Sequence, residues 1–398
     1  MNSSVGIDKD TDLMEIEIGP SHPAMHGIVR FSVSLSGETI VKMKAEIGYL
    51  HRAFEKEAEN SRYIQILPYT DRLNYCSAII NNCGYSMAVE KLFGIHTPKR
   101  AEYARVIMME VSRISDHMTC VAAAAMEVGA FTIFLWFIKA REYLWELIED
   151  FTGARLTTSW TRFGGNANDF PDGFLDKLAN HLIKVQEVID ECDKMATTNK
   201  IFVDRLKGVG ILSKEKAISY GFTGPMLRAV GVAHDLRVAD GGYSAYSDFD
   251  FEIPVGEVGD SYDRYLVRME EMRQSISIIK QASQKIPKGS HITRNRRTSL
   301  PPKSEVYGSI EGMIDHFKLI MEGHTPPKGE VYVNVEGANG ELGFYVVSDG
   351  SGTPVKVRVR PPCFNFVAAM ADMCVGHPIA DLVPTFGSIN MIGGELDR

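Results

Sequence analysis

Residues 120–138 are nineteen in number and carry a single charge, Glu127. A run of that length just reaches the ~18 apolar residues that nominate a membrane-spanning helix. Four consecutive alanines (122–125) and an acid near the middle argue the other way, because a mid-bilayer carboxylate costs about 2.5–3.5 kcal/mol. The run reads as a helix buried inside protein, and burying it requires a sizeable helical core. Desolvation there would raise the pKa of Glu127 unless a cation sits nearby.

The surrounding pattern supports such a core. Ile107, Val111, Ile114, Met118, Val121 and Ala125 recur at three- and four-residue steps, one apolar stripe, while Glu102, Arg105, Arg113 and Asp116 fall elsewhere on that helix. Pro98 precedes it and Gly129 marks a break near its far end. Further helices are predicted over about 131–151, 172–197 and from 261 to before Pro287. Before residue 48, segments 13–18 and 29–35 alternate as half-buried strands do, and a turn at 36–38 leads into 39–44. After Pro327, strands are predicted at 330–335, 342–347 and 355–359, with turns at Gly340 and residues 349–352. The expected fold class is α+β: a mainly α-helical bundle core (49–287), an N-terminal antiparallel β-sheet (1–48), and a linker, β-hairpin region and C-terminal segment returning to the core (288–398).

Acids outnumber bases 51 to 43, which argues against a nucleic-acid partner recognised through phosphate charge. Six cysteines, none arranged as Cys-x-x-Cys, read as reduced thiols. The first residues show no basic region followed by an apolar core, so no signal peptide is expected. No Gly-rich phosphate loop and no nucleophile elbow appear. The basic stretch 288–304, with Pro301-Pro302, reads as a solvated loop or as a docking strip for an acidic partner.

Two short segments carry chemistry. In 19–27, GPSHPAMHG, His22 and His26 have helical zinc-pair spacing, but Pro23 between them rules out that helix. They sit on a stiff loop, where an imidazole either packs or hydrogen-bonds one ligand atom. In 67–75, LPYTDRLNY, two tyrosines bracket an Asp71–Arg72 pair. This reads as a helix start with an ion pair, or as a pocket in which a tyrosine hydroxyl donates.

Taken with 47–52 (IGYLHR), 152–155 (TGAR), 235–237 (DLR) and 393–398 (GGELDR), these segments resemble, in order and over nearly the whole chain, the quinone-site D subunit of respiratory complex I, the proton-pumping NADH–quinone oxidoreductase. The resemblance implies the fold of the nickel–iron hydrogenase large subunit with its metal site emptied. It implies that His26 and Tyr75 hydrogen-bond the two quinone carbonyls. Glu127 stands where the family usually has an aspartate paired with that histidine. Arg52 would lie against the terminal iron–sulfur cluster of the neighbouring B subunit, and His22 and Met25 complete the binding set. The chain itself would bind no metal or cofactor; menaquinone or ubiquinone is the substrate. The B, C, H and I subunits of the complex are the implied partners, and the place is peripheral, on the cytoplasmic face of the bacterial inner membrane. Three positions depart from the family: Thr157 replaces a histidine, which suggests a lower-potential quinone such as menaquinone; His234 replaces an aromatic residue; Gly241-Gly242-Tyr243 replaces a Pro-Tyr pair. A true nickel–iron hydrogenase would need two Cys-x-x-Cys pairs, which are lacking. The equivalent subunit of a ferredoxin- or deazaflavin-fed complex reducing quinone or phenazine stays open at this point.

Overall fold

Strands β1 (Met14–Ile18), β2 (Arg30–Ser36) and β3 (Thr39–Glu46) form an antiparallel sheet in that order, with Val33 facing Ile16 and Met43. Alternation does what it predicts: Phe31, Val33 and Leu35 point inward and are buried. The computed structural model describes residues 13–23 and 27–398, so Met25 and His26 lie outside the described residues.

Helices α1 (Phe54–Asn60), α2 (Tyr63–Thr70), α3 (Ala78–Phe93), α4 (Lys99–Glu127) and α5 (Phe131–Thr152) follow. A minimal hairpin, β4 (Thr161–Arg162) and β5 (Gly165–Asn166), leads to α6 (Phe174–Thr197), α7 (Lys200–Leu206), α8 (Lys214–Ser219), α9 (Gly224–Arg228) and α10 (Ser261–Gln284). Then come α11 (Lys303–Gly308), α12 (Ile310–Met321) and a second antiparallel sheet of β6 (Gly329–Glu336), β7 (Glu341–Ser348) and β8 (Lys356–Arg360). The chain closes with α13 (Pro362–Ala368), α14 (Met370–Cys374), α15 (Leu382–Ser388) and α16 (Gly393–Leu396). The architecture is mixed helix and sheet, as the periodicities imply. One apolar cluster joins the long helices to β6–β8, and a second joins the N-terminal sheet to the C-terminal helices. Gly84 lets α3 lie close on the second sheet, since a Cβ there would meet Val335 and Phe344.

The expected break at Gly129 and the helix from about 131 are both present, and the reading of 120–138 as one buried helix gives way to them. The run 120–138 is not one helix: α4 ends at Glu127, Gly129 takes a left-handed φ of 90°, and α5 starts at Phe131. Glu127 is therefore a half-buried helix terminus rather than the middle of a buried rod. Among the described residues no helix is long and apolar enough to cross a membrane. The charged residues that fall off the apolar stripe of α4 lie inside the protein as well. Arg105, Glu110, Arg113, Asp116 and His117 are all buried, because α5, α10, α3 and α15 surround the helix.

Buried charge must be paired, and here it is paired in a network. Glu110 accepts from Arg113 (3.2 Å), Arg237 (3.1 Å), Ser275 (2.6 Å) and the Tyr246 hydroxyl (2.6 Å). Arg237 also holds Asp235 in a fork, at 2.7 and 3.0 Å. Arg228 joins Glu271 (2.7 Å) to Glu336 (2.8 Å), and His117 Nε2 lies 2.8 Å from Glu271. The Asp-Leu-Arg segment is thus a structural clamp on α4. Burial works against the charged form of Glu110, but Arg113 and Arg237 outweigh it and hold the carboxyl below its ordinary range. Gly242 belongs to the same device: its φ is 72°, and a Cβ there would strike the Arg237 carbonyl.

Arg237→Met removes one cation from this network and leaves Asp235 and Glu110 under-compensated. It should cost about 3–5 kcal/mol, read as a lowered urea midpoint of the purified protein. A midpoint within error of wild type would show that the clamp is not needed.

Candidate functional site

The segment IGYLHR and the C-terminal GGELDR are folded onto each other. The Asp397 carboxylate accepts the backbone N–H of Gly48 (2.9 Å) and of Leu50 (2.8 Å), while His51 Nδ1 lies 2.6 Å from the Asp397 carbonyl. Arg52 donates to the carbonyls of Arg72 (2.7 Å) and Gly394 (3.4 Å). Gly394 is required by this approach, since a Cβ would meet the carbonyls of Arg72 and Leu73. Burial, then the nearby Arg72, lowers the pKa of Arg52. Three separate motifs thereby meet around the 72–75 turn.

Behind that turn is a cavity of ≈ 230 Å³ lined by Gly27, Tyr75, Cys76, Cys120, Gly387 and Asn390, among others. Tyr75 is half-buried at its wall, with the Arg72 guanidinium 4.8 Å above its ring. Burial raises the Tyr75 phenol above its ordinary range, so it stays a neutral donor. Gly27 follows directly on the segment that holds Met25 and His26, and His22 is exposed at the start of that loop. The Glu127 carboxylate lies against Gly387, where a Cβ would collide with it. Tyr75 and the Glu127-facing Gly387 therefore share one cavity.

Some readings change. The segment 67–75 is a helix end, not a start, because α2 stops at Thr70. The Asp71–Arg72 ion pair is not among the ion pairs of the described residues: Asp71 is buried and accepts the Ser159 N–H at 3.0 Å, while Arg72 is exposed. Burial pushes the Asp71 carboxyl up to about 7. Thr157 is exposed, and the His234 carbonyl serves as an acceptor for Arg228 at 2.9 Å.

Periodicity does not reveal a polar seam on the cavity wall. Asp116 accepts from Asn74 (2.9 Å) and from Asn390 (2.9 Å), and Asn390 is joined to Asn339 and to Cys363. Glu395 accepts the Cys363 N–H at 3.1 Å. The one signal for it in the sequence is an Asp-His pair inside an apolar helix. Among the described residues no group of three or more His, Cys, Asp and Glu could hold a metal ion. A larger cavity of ≈ 500 Å³, lined by Glu90, Arg105 and Tyr332, contains none of the ligand residues singled out from the sequence. The 230 Å³ cavity is mainly apolar, with Tyr75 and Asn390 among the residues that line it.

The profile of the family described as "Respiratory-chain NADH dehydrogenase, 49 Kd subunit" matches residues 127–398. The chain is 54% identical over 388 residues to the D subunit of NADH-quinone oxidoreductase from Myxococcus xanthus (strain DK1622), spanning 98% of this chain and 93% of the relative. It is 50% identical to the D 1 subunit of the Sorangium cellulosum (strain So ce56) enzyme, over 98% and 97% of the two chains. The C/D subunit of NADH-quinone oxidoreductase from Bdellovibrio bacteriovorus (strain ATCC 15356 / DSM 50701 / NCIMB 9529 / HD100) is 50% identical over 97% of this chain and 69% of the relative.

Burial pushes the Glu395 carboxyl up to about 7, against the Cys363 contacts that favour its charge. In the unfolded chain it titrates near its ordinary value, roughly 4.3. The folded state therefore binds this proton more tightly, and its contribution is complete below about pH 4 and lost as pH rises through about 7. Glu395→Gln should flatten that loss, raising stability at pH 8 by on the order of 3 kcal/mol. Denaturant midpoints of both proteins at pH 5 and pH 8 check it; parallel pH dependences would show that Glu395 ionises normally.

Proposed function

The chain belongs to the 49-kDa subunit family of respiratory-chain NADH dehydrogenases, and on that footing we propose that its cavity is the quinone headgroup site of the complex. The protein is a subunit of NADH–quinone oxidoreductase. The observation that carries the site reading is the single cavity shared by Tyr75, Gly27 beside the histidine loop, and the Gly387 surface on which the Glu127 carboxylate rests.

The chemistry follows from what reduction does to a quinone. Two electrons, delivered from the terminal iron–sulfur cluster of the B subunit, place negative charge on two oxygens, and two protons complete the quinol. Donors fixed where that charge develops lower the barrier. The Tyr75 hydroxyl, kept protonated by burial, serves one carbonyl; His26 serves the other, and Glu127 reloads or orients that histidine as a coupled pair. His22 and Met25 complete the binding set. Arg52, anchored on two carbonyls, faces the B subunit and its cluster. Thr157, in place of a histidine, fits a lower-potential quinone such as menaquinone. The B, C, H and I subunits are the partners that surround the chain, and the C/D relative, in which the two names are joined in one protein, supports C. The place is peripheral, at the cytoplasmic face of the inner membrane. The order of the motifs supports descent from the nickel–iron hydrogenase large-subunit fold.

Tyr75→Phe deletes one hydroxyl and keeps the ring, so the subunit should assemble. A lost neutral hydrogen bond is worth about 0.5–1.5 kcal/mol, so quinone affinity should fall roughly threefold to tenfold. Turnover should fall further, up to about 10²-fold, where the hydroxyl also gives its proton. Membrane assays with quinone and with an artificial acceptor check this; normal quinone turnover would move the headgroup elsewhere. For Arg52→Met, a cation beside the cluster is removed, so the midpoint potential should drop. Electron paramagnetic resonance redox titration reads it, and an unchanged potential would take Arg52 away from the cluster.

A further inference from the structure

Among the described residues six arginines are fully buried: Arg105, Arg113, Arg228, Arg237, Arg264 and Arg268. The first four each pair with a carboxylate. Arg264 and Arg268, one turn apart on α10, have no ion pair among the described residues. Arg264 donates to the Gly210 and Gly259 carbonyls and to the Ser388 hydroxyl. Among the described residues Arg268 uses only Nη1, toward the carbonyls of Ser388 (2.8 Å) and Arg264 (3.3 Å), and its Nε and Nη2 have no hydrogen-bond partner there. An uncompensated buried cation disfavours folding, and an apolar side chain of similar volume would serve packing better. The charge calls for a reason outside stability.

Its surroundings supply one. Arg268 lines a water-sized cavity of ≈ 10 Å³ together with Cys120, Ala124 and Ser388. Cys120 also lines the headgroup cavity, as do Ala123 and Gly387, the residues next to Ala124 and Ser388. A wall one residue thick separates the two spaces. The titratable and charged groups on Arg268's side of it are His117 and Cys120 on α4, Tyr265 and Arg264 on its own helix, and Glu271, which is already engaged with Arg228 and His117. The residues facing it from α7, Phe202 and Leu206, are apolar. Across the wall lie Glu127, against Gly387, and Asp116, bonded to Asn390.

We propose that Arg268 is a positioning residue for quinone reduction: its unpaired guanidinium, set behind the Cys120–Gly387 wall, holds that wall through Ser388 and stabilises negative charge in the headgroup cavity. This rests on the site reading given above. The interior transmits charge effects over several ångströms because its effective dielectric is far below that of water. The charge favours the reduced, anionic headgroup and the ionised form of Glu127 together. No contact with the substrate is needed.

The test uses the assembled enzyme in native membranes, with Arg268→Met and Arg268→Lys beside wild type. In Arg268→Met, artificial-acceptor activity should be unchanged, kcat for quinone should fall about 10- to 30-fold with KM moving less than threefold, and the acid limb of the kcat–pH profile should move up by about one pH unit. Arg268→Lys keeps the charge and should retain kcat within about threefold, with the limb unmoved. Equal impairment of both variants with an unmoved limb overturns the proposal, as does wild-type behaviour of Arg268→Met. If Arg268→Met does not assemble, Arg268→Lys decides: an unmoved limb with near-normal kcat supports the role of charge, and a moved limb or lost kcat overturns it. Tyr75→Phe in the same membranes separates the two readings. Normal turnover there overturns the site itself, whereas a defect there beside a normal Arg268→Met overturns only the role of Arg268.

Discussion

Helix α4 is buried on every side, and it carries charges that a buried helix must neutralise within the protein. That constraint organises the molecule. Glu110, Arg113 and His117 draw in Arg237, Asp235, Glu271, Arg228 and Glu336 from α10, α9 and the loop after it, and β6. The clamps act together because each carboxylate serves more than one donor, so removing one partner leaves others exposed to a dry interior. Asp116, on the same helix, is the exception. It is satisfied by two asparagines rather than by a cation, and it sits where the helix borders the 230 Å³ cavity.

The cavity exists because distant parts of the chain are locked there. Asp397 caps the backbone at Gly48 and Leu50, and Arg52 spans from the 72–75 turn to Gly394. These are hydrogen bonds between carboxylate or guanidinium and backbone, stronger than neutral ones. They fix the Tyr75 turn against the C-terminal helices without using the Tyr75 hydroxyl in the locking bonds. The ring is held by its neighbours and by the Arg72 guanidinium above it.

Much of this is legible in the chain. Alternation locates β2 because one face of it is buried, and β1 because its Ile16 and Ile18 are half-buried between exposed neighbours; the 3.6-residue stripe locates α4 because its apolar residues meet α5 and α10. Motif order identifies the family, which the relatives bear out. What periodicity cannot show is where a polar side goes. Arg113 and Asp116 look like a solvated face on a helical wheel, and only the surrounding helices bury them. The break at Gly129 is visible, but that it leaves Glu127 at a helix end against Gly387 depends on α15, more than 250 residues later. The amphipathic α12 escapes the sequence reading because it lies just before the strand signals. The Asp71–Arg72 pair fails for a local reason: burial claims Asp71 for the Ser159 N–H while Arg72 turns outward over Tyr75.

The central claim is that the headgroup occupies the ≈ 230 Å³ cavity and not the larger one near Glu90 and Tyr332. The most direct test is a photoreactive short-tail quinone applied to the assembled enzyme, followed by mapping of the labelled peptides. The account predicts label on the peptides carrying Tyr75, Cys120 and Gly387–Ile392, competed away by unlabelled quinone. Competable label on the peptides carrying Glu90, Arg105 or Tyr332, with none at Tyr75, would contradict it.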